Sequence, residues 1–173
     1  YVLTTSENLR YIFSSAFKTE NILIAGYPRN QVLISDDIKN IYLDEENRDR
    51  KKIISFLKKK INGGNKKMIF YMPTFRKSET LFFENFDKND FQKFLAKNNL
   101  LFCIKLHPKS KLNEEFKNIQ SENIMVINKD ADPYVFLKLA DVLITDYSSI
   151  YFDYLLLDRP IIFFAYDLKE YLN

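Results

Sequence analysis

Residues 140–167 read ADVLITDYSSIYFDYLLLDRPIIFFAYD. Val142–Thr145 is a short run of apolar and β-branched residues, the composition of a buried strand. The Asp146-Tyr147-Ser148-Ser149 turn follows, then an apolar helix over Ser149–Leu157, and Pro160–Phe164 is a second buried strand. Strand, tight turn, helix and strand in that order set hydroxyls and free backbone N–H groups just beyond a strand's carboxyl end. Phosphate oxygens are held by such an arrangement.

The same grammar extends outward. Tyr1–Thr4, Ile22–Ala25, Lys67–Met72, Leu101–Leu106 and Ile124–Ile127 are further apolar runs with little alternation. Ser6–Phe17, Glu46–Lys60, Lys88–Lys97 and Pro133–Leu139 have helical spacing. Near-continuous apolar strands separated by helices predict a parallel sheet covered on both faces, hence an α/β, doubly wound fold. Ser6 and Asp132 stand where N-caps belong, the latter followed by Pro133 at the first helical position. Asn62-Gly63-Gly64-Asn65 follows a lysine-rich helix end, and a glycine there is expected to supply the left-handed residue that stops the helix. A boundary is placed at that point, dividing the chain into 1–65 and 66–173.

Composition narrows the functions. Of 173 residues 46% are hydrophobic and 16% aromatic, which predicts a packed core. A net charge of +3 from interspersed residues is too even for a dedicated nucleic-acid binder. Cys103, the one cysteine, lies inside an apolar run and is expected to be buried and inert; without a disulfide the chain suits a reducing compartment. No apolar run approaches the ~20 residues of a membrane span. Neither a Gly-x-x-x-x-Gly-Lys loop nor a Gly-x-Gly-x-x-Gly fingerprint is present, and His, Cys and acids have no metal-ligand spacing, so neither cofactor nor metal is expected. The chain opens on Tyr1 and stops within a helix-like run, which reads as a piece of a longer protein.

In a parallel sheet the ligand lies beyond the strands' carboxyl ends, so polar residues there carry the chemistry. Four such ends are loaded. At Thr145–Ser149, Asp146 or Ser148 caps the helix and the remaining hydroxyls and N–H groups accept an anion; plain capping is the competing reading. Asp153 stands alone on an apolar helix and needs a partner, either a ribose diol or a cation, with Arg159 the obvious intramolecular one. At Lys105–Lys109, His107 is held at a strand tip by Pro108 and flanked by two lysines. Beyond Tyr71, Thr74 and Arg76 face the crevice, and arginine's fork suits phosphate. Gly26–Asn30 is a rigid turn bearing Arg29 and Asn30.

Four runs, GYPRN (26–30), FYMPTFR (70–76), KLHP (105–108) and ADVLITDYSSIYFDYLLLDRPIIFFAYDLKEY (140–171), together and in this order resemble the CDP-glycerol glycerophosphotransferase family of teichoic-acid and capsule polymerases. The resemblance implies a GT-B fold, with 66–173 most of its Rossmann-like CDP-polyol-binding domain, truncated at its C-terminus, and 1–65 the end of the acceptor-side domain and connector. It implies transfer of glycerol phosphate, or a related polyol phosphate, from a CDP-activated donor to a growing, lipid-linked polymer. The resemblance further implies that this work takes place in the cytoplasm, peripherally at the inner face of the membrane. His107 and Ser148–Ser149 would contact the diphosphate with Arg76 assisting. Thr74, Lys105, Asp146, Arg29 and Asn30 complete the substrate-binding set, and Asp153 falls where related enzymes bind ribose hydroxyls. Two departures stand out. Gln31 replaces an aspartate, and the upstream Trp-His-Gly segment implied to hold the catalytic base and a downstream Arg-Gly segment are not in the sequence. The 173 residues alone are therefore expected to bind donor poorly and to be inactive. A GT-B nucleotide-sugar transferase or 2-epimerase, and a non-catalytic nucleotide-binding module, are the competing readings.

Overall fold

The computed structural model describes residues 1–35, 55, 57–59, 61–63, 65–75, 87–107, 109–110, 121–128 and 131–172. Arg76, Pro108 and most of the expected helix over 46–60 lie outside the described residues.

Seven strands are described. β1 (Val2–Thr4) and β2 (Ile22–Ile24) pair in parallel, joined by α1 (Glu7–Phe17). β3 (Lys67–Tyr71), β4 (Leu100–Ile104), β5 (Ile124–Val126), β6 (Val142–Thr145) and β7 (Ile161–Phe163) form a second, all-parallel sheet in the order β5-β4-β3-β6-β7. The expectation of a doubly wound parallel sheet is met. After β5 the chain returns to the middle and lays β6 against β3, so the strand order reverses there. In an open sheet the crevice forms at such a reversal.

The helices cover both faces, and the period-2 pleat sorts side chains between them. Met68 and Phe70 of β3 and Leu101 and Cys103 of β4 join Leu143 in a core sealed by α4 and α5. Here α3 is Lys88–Lys97, α4 Pro133–Leu139 and α5 Ile150–Tyr154. On the opposite face Ile69, Tyr71, Phe102 and Ile104 pack against Phe91 and Leu95 of α3. Each fully buried side chain of this size contributes roughly 1.5–3 kcal/mol, so Phe70, Leu101 and Leu143, all 0% exposed, carry a large share of the fold. Cys103 is buried as expected.

Local chemistry sets the ends. Asp132 accepts from the Tyr134 amide at 3.0 Å with Pro133 at the first position, as expected. Asp87 does the same for α3, accepting from Asn89 and Asp90. Ser6 sits at the N-cap of α1 but its side chain makes no capping bond. Three expectations are corrected. The left-handed residue after the lysine-rich helix is Asn65, φ 47°, and Gly63 is still helical. Asparagine reaches this region because its side chain tolerates it. The helix expected over 149–157 is α only for Ile150–Tyr154. It tightens to a 3-10 turn at Leu155–Leu157 and stops at Asp158, φ 50°. Neither Asp146 nor Ser148 caps it; Ser149 holds the N-cap position without a side-chain capping bond.

The segment leaving β2 does not hang free. A 3-10 turn at Pro28–Asn30 runs into α2 (Gln31–Ile34), whose Leu33 joins the core sealed by α4 and α5.

Candidate functional site

The carboxyl ends of β3, β4 and β6 are bound to one another before any ligand is considered. Lys105 N–H donates to the Tyr71 carbonyl at 3.0 Å, Met72 N–H to Ile144 at 3.0 Å, and the Thr145 hydroxyl to the Met72 carbonyl at 2.7 Å. These bonds fix three neighbouring strand tips, and a cleft of about 480 Å³ opens between them. The β3 tip contributes Met72, Pro73, Thr74 and Phe75; the β4 tip Lys105, Leu106 and His107; the β6 tip Tyr147, Ser148 and Ser149.

Five residues singled out from sequence thus meet at one cleft: Thr74, Lys105, His107, Ser148 and Ser149. His107 is exposed, packs its ring 5.2 Å from that of Phe75, and accepts through Nδ1 from the Lys109 amide at 3.2 Å. An acceptor Nδ1 places the proton of the neutral ring on Nε2, which makes that nitrogen the donor. Lys105 is 6% exposed. The hydroxyls of Ser148 and Ser149, an imidazole and an ammonium around a hollow of this size are the donor set that a multiply charged oxyanion requires.

Asp146 has a different place from the one expected of it. It is buried, and its carboxylate accepts from the Thr74 amide at 2.9 and 3.0 Å and from the Thr74 hydroxyl at 2.6 Å. A weaker bond comes from the Ser148 amide at 3.3 Å. It therefore clamps the loop after β3 to the loop after β6 and shapes the cleft from behind. Charge-assisted bonds to a carboxylate are worth more than neutral ones, so a clamp of this kind is stiff.

Asp153, Arg29 and Asn30 do not line the cleft. Arg159, the intramolecular candidate weighed for Asp153 beside a ribose diol, is not its partner: it donates to the carbonyls of Lys138 and Ala140, at 2.9 and 2.5 Å. Asp153 instead accepts from Arg29 Nε at 3.1 Å, Arg29 Nη2 at 3.5 Å and the Tyr134 hydroxyl at 2.7 Å. Arg29 lies over the Tyr27 ring, 4.2 Å from its centroid. Burial alone would lower the Arg29 pKa, but the hydrogen bond and charge of Asp153 outweigh it and hold it above the ordinary value. Tyr134 is pushed well up, first by burial and then by its bond to Asp153. Asn30 Oδ1 is buried with no hydrogen-bond partner among the described residues.

Sequence reasoning missed Tyr134, which is in another element and 19 residues from Asp153. It also passed over Phe75 and Tyr147 as cleft walls, although each sits beside a residue that was singled out. Tyr147 stacks on Tyr171 with centroids 3.7 Å apart, so that wall is braced by the last helix among the described residues, α6 (Leu168–Tyr171). Among the described residues no group of His, Cys, Asp and Glu forms a metal site, and no helix is long and apolar enough to cross a membrane.

Known proteins with this architecture carry the comparison further. The chain is 32% identical over 177 residues to a teichoic acid poly(ribitol-phosphate) polymerase of Bacillus spizizenii, covering 99% of this chain and 27% of that protein. It is 34% identical over 177 residues to a teichoic acid glycerol-phosphate primase of Bacillus subtilis, covering 99% and 41%. The chain thus spans less than half the length of these relatives. The solved wall teichoic acid polymerase TagF superposes with a TM-score of 0.65 at 31% identity, covering 99% of this chain and 40% of that one. A family model described as CDP-Glycerol:Poly(glycerophosphate) glycerophosphotransferase matches residues 1–173, and with the parallel sheet and its strand-tip cleft in place, the chain belongs to that family.

Proposed function

We propose that this chain is the donor-binding portion of a transferase that moves glycerol phosphate from CDP-glycerol to a growing polymer of the teichoic-acid type. One observation carries the reading: tips of three neighbouring parallel strands bring His107, Lys105, Thr74, Ser148 and Ser149 to a single cleft. A TagF variant soaked with CDPG has the same fold, at a TM-score of 0.63 and 30% identity, and supports the choice of donor.

The chemistry follows from charge. An acceptor hydroxyl oxygen attacks the phosphorus that carries glycerol, a new P–O bond forms, the P–O bond to CMP breaks, and the hydroxyl proton is released to a base or to solvent. The electron pair leaves with CMP, so negative charge grows on the CMP phosphate. His107, through Nε2–H, and the hydroxyls of Ser148 and Ser149 are assigned to that charge, with Lys105 adding its field and Thr74 holding the wall. Arg76 is assigned to the same diphosphate from the segment beyond Thr74. In the proposed division, 66–173 holds the donor. Residues 1–65 belong to the acceptor side and the connector, with Arg29 and Asn30 at the junction. The acceptor is a lipid-linked polymer at the inner face of the membrane, reached by peripheral contact through basic helix faces such as that of Lys58 and Lys59.

A calorimetric titration of the intact protein with CDP-glycerol tests this. Each lost bond to a charged phosphate oxygen costs ~1.5–3 kcal/mol. His107→Ala and Ser149→Ala should therefore each weaken binding by roughly ten- to a hundredfold. Unchanged affinity in both variants, or no binding of any CDP-polyol, would refute the assignment. CDP-ribitol is the second reading, favoured by the 32% identity to a ribitol-phosphate polymerase, and the same titration ranks the two donors.

A further inference from the structure

Asp153 is 5% exposed and sits in α5, directly after the Ser148–Ser149 turn. A buried carboxylate must have its charge balanced and its lone pairs filled, and here both requirements are met from within the chain. The Arg29 fork fills both oxygens, the Tyr134 hydroxyl adds the shortest bond, and the three residues come from separate elements: the 3-10 turn after β2, α4 and α5. Arg29 is half exposed, with its side chain at 47%, while Asp153's is at 6%, so the arginine has come to the carboxylate from the solvent side.

A second tie lies along the same seam. Lys138 of α4 donates to the Ser35 carbonyl at the end of α2, and Val32 and Leu33 of α2 are buried. The segment 28–35 is thus docked on α4 and α5 by charge at one end, a hydrogen bond at the other and apolar burial between. Immediately before it, Gly26 is exposed.

We infer that Arg29, Asp153 and Tyr134 form a positioning latch, which pins the segment leaving β2 onto the helix that follows the Ser148–Ser149 turn. In this role the Asp153 carboxylate serves the chain and is not a ligand for donor hydroxyls. The latch sets where the β1–β2 unit stands relative to the cleft, and it steadies the start of α5 from which Ser149 is presented. The raised pKa values of Arg29 and Tyr134 agree with a tight cluster. This inference rests on the proposed function for its consequence in turnover, but the latch itself is readable without it.

Two measurements on the intact protein decide. The first is amide hydrogen exchange over residues 28–35 in Arg29→Ala, Arg29→Lys, Tyr134→Phe and Asp153→Asn. A latch predicts at least tenfold loss of protection in Arg29→Ala and Asp153→Asn alike, an intermediate loss in Arg29→Lys, and about threefold in Tyr134→Phe, which keeps the ion pair. Protection unchanged in the first two would overturn it. The second is steady-state kinetics with CDP-glycerol. Here Arg29→Ala and Asp153→Asn should lower kcat about tenfold with KM for the donor within twofold, and the double variant should be no worse than the weaker single. A tenfold rise in donor KM for Asp153→Asn alone, with Arg29→Ala unaffected, would make the carboxylate a donor ligand and refute the latch. If the wild-type protein turns over no CDP-polyol, the proposed function fails, while the exchange measurement still judges the latch.

Discussion

Asp146 and Asp153 show how differently one residue type is used within a single turn and helix. Asp146 was singled out from sequence as a strand-tip residue and Asp153 as a lone carboxylate on an apolar helix, and both are buried. Asp146 fills its lone pairs with the amide and hydroxyl of Thr74, and Asp153 with Arg29 and Tyr134. The need for partners was legible, because an isolated carboxylate does not stay buried. Their identity was not, since Arg29 is 124 residues from Asp153 and nothing local selects it over the nearby Arg159. Tyr154 carries a consequence that can be measured at this scale. Its hydroxyl donates to the Ala140 carbonyl at 3.0 Å, and its pKa is pushed up to about 12, first by burial and then by the charge of Asp141, with Arg159 opposing. The folded value lies above the unfolded value of about 10, so the neutral phenol is the form that folding favours. That contribution is fully present below about pH 10 and is lost as pH rises through 12. Denaturant midpoints taken from pH 9 to 12 should therefore fall more steeply for the wild type than for Tyr154→Phe. Tyr134 shifts in the same sense, so the variant's slope should be reduced and not abolished. At neutral pH the substitution should cost only about 1 kcal/mol, because Arg159 still satisfies the Ala140 carbonyl. Equal slopes would show that Tyr154 does not titrate with unfolding.

Among the elements, strands were easier to read than helix ends. β3, β4 and β6 are continuous apolar runs because both faces of their sheet are covered, and that pattern survives without tertiary information. The helix after β6 was read too long, because Leu155–Leu157 continues the apolar pattern while the backbone has already tightened toward Asp158. The cleft followed from the strand tips, yet the adjacency of β3 and β6 follows only from the observed strand order. The Asp132 cap of α4 ties element stability to the site. Its carboxylate holds the Tyr134 amide, and the same tyrosine gives its hydroxyl to Asp153. Asp132→Ala should destabilise the protein by about 1 kcal/mol in urea unfolding, the ordinary worth of a cap. If the first turn of α4 frays, the Tyr134 phenol should also titrate closer to its ordinary value, which ultraviolet absorbance can follow. A lost kilocalorie without movement of that titration would mean that the cap and the Asp153 cluster are independent.

For the whole molecule, the distribution of apolar surface is the notable feature. β7 is an edge strand of the described sheet, and Ile162, Phe163 and Phe164 are each more than 40% exposed. Tyr151 packs edge-on against Phe163, and Phe152 lies beside it, so the patch runs from the edge strand onto α5. A second patch surrounds β1 and β2, where Tyr11, Ile12, Phe17 and Leu23 are exposed. Exposed apolar area on an edge strand is a template for pairing with another chain, because unpaired N–H and C=O groups and apolar side chains are offered together. The net charge of +3 supplies little repulsion against such pairing. The 173-residue chain in isolation should therefore self-associate at tens of micromolar. Light scattering would report this as a weight-average mass above 20.7 kDa that rises with concentration. Phe163→Lys places a charge on the edge itself, and Leu23→Lys places one on the β1–β2 patch. If the edge strand dominates, Phe163→Lys should restore most of the monomer, whereas Leu23→Lys should do so only if the smaller sheet is the contact. A wild-type chain that stays monomeric at a hundred micromolar would show that neither patch drives association, despite the apolar area on both.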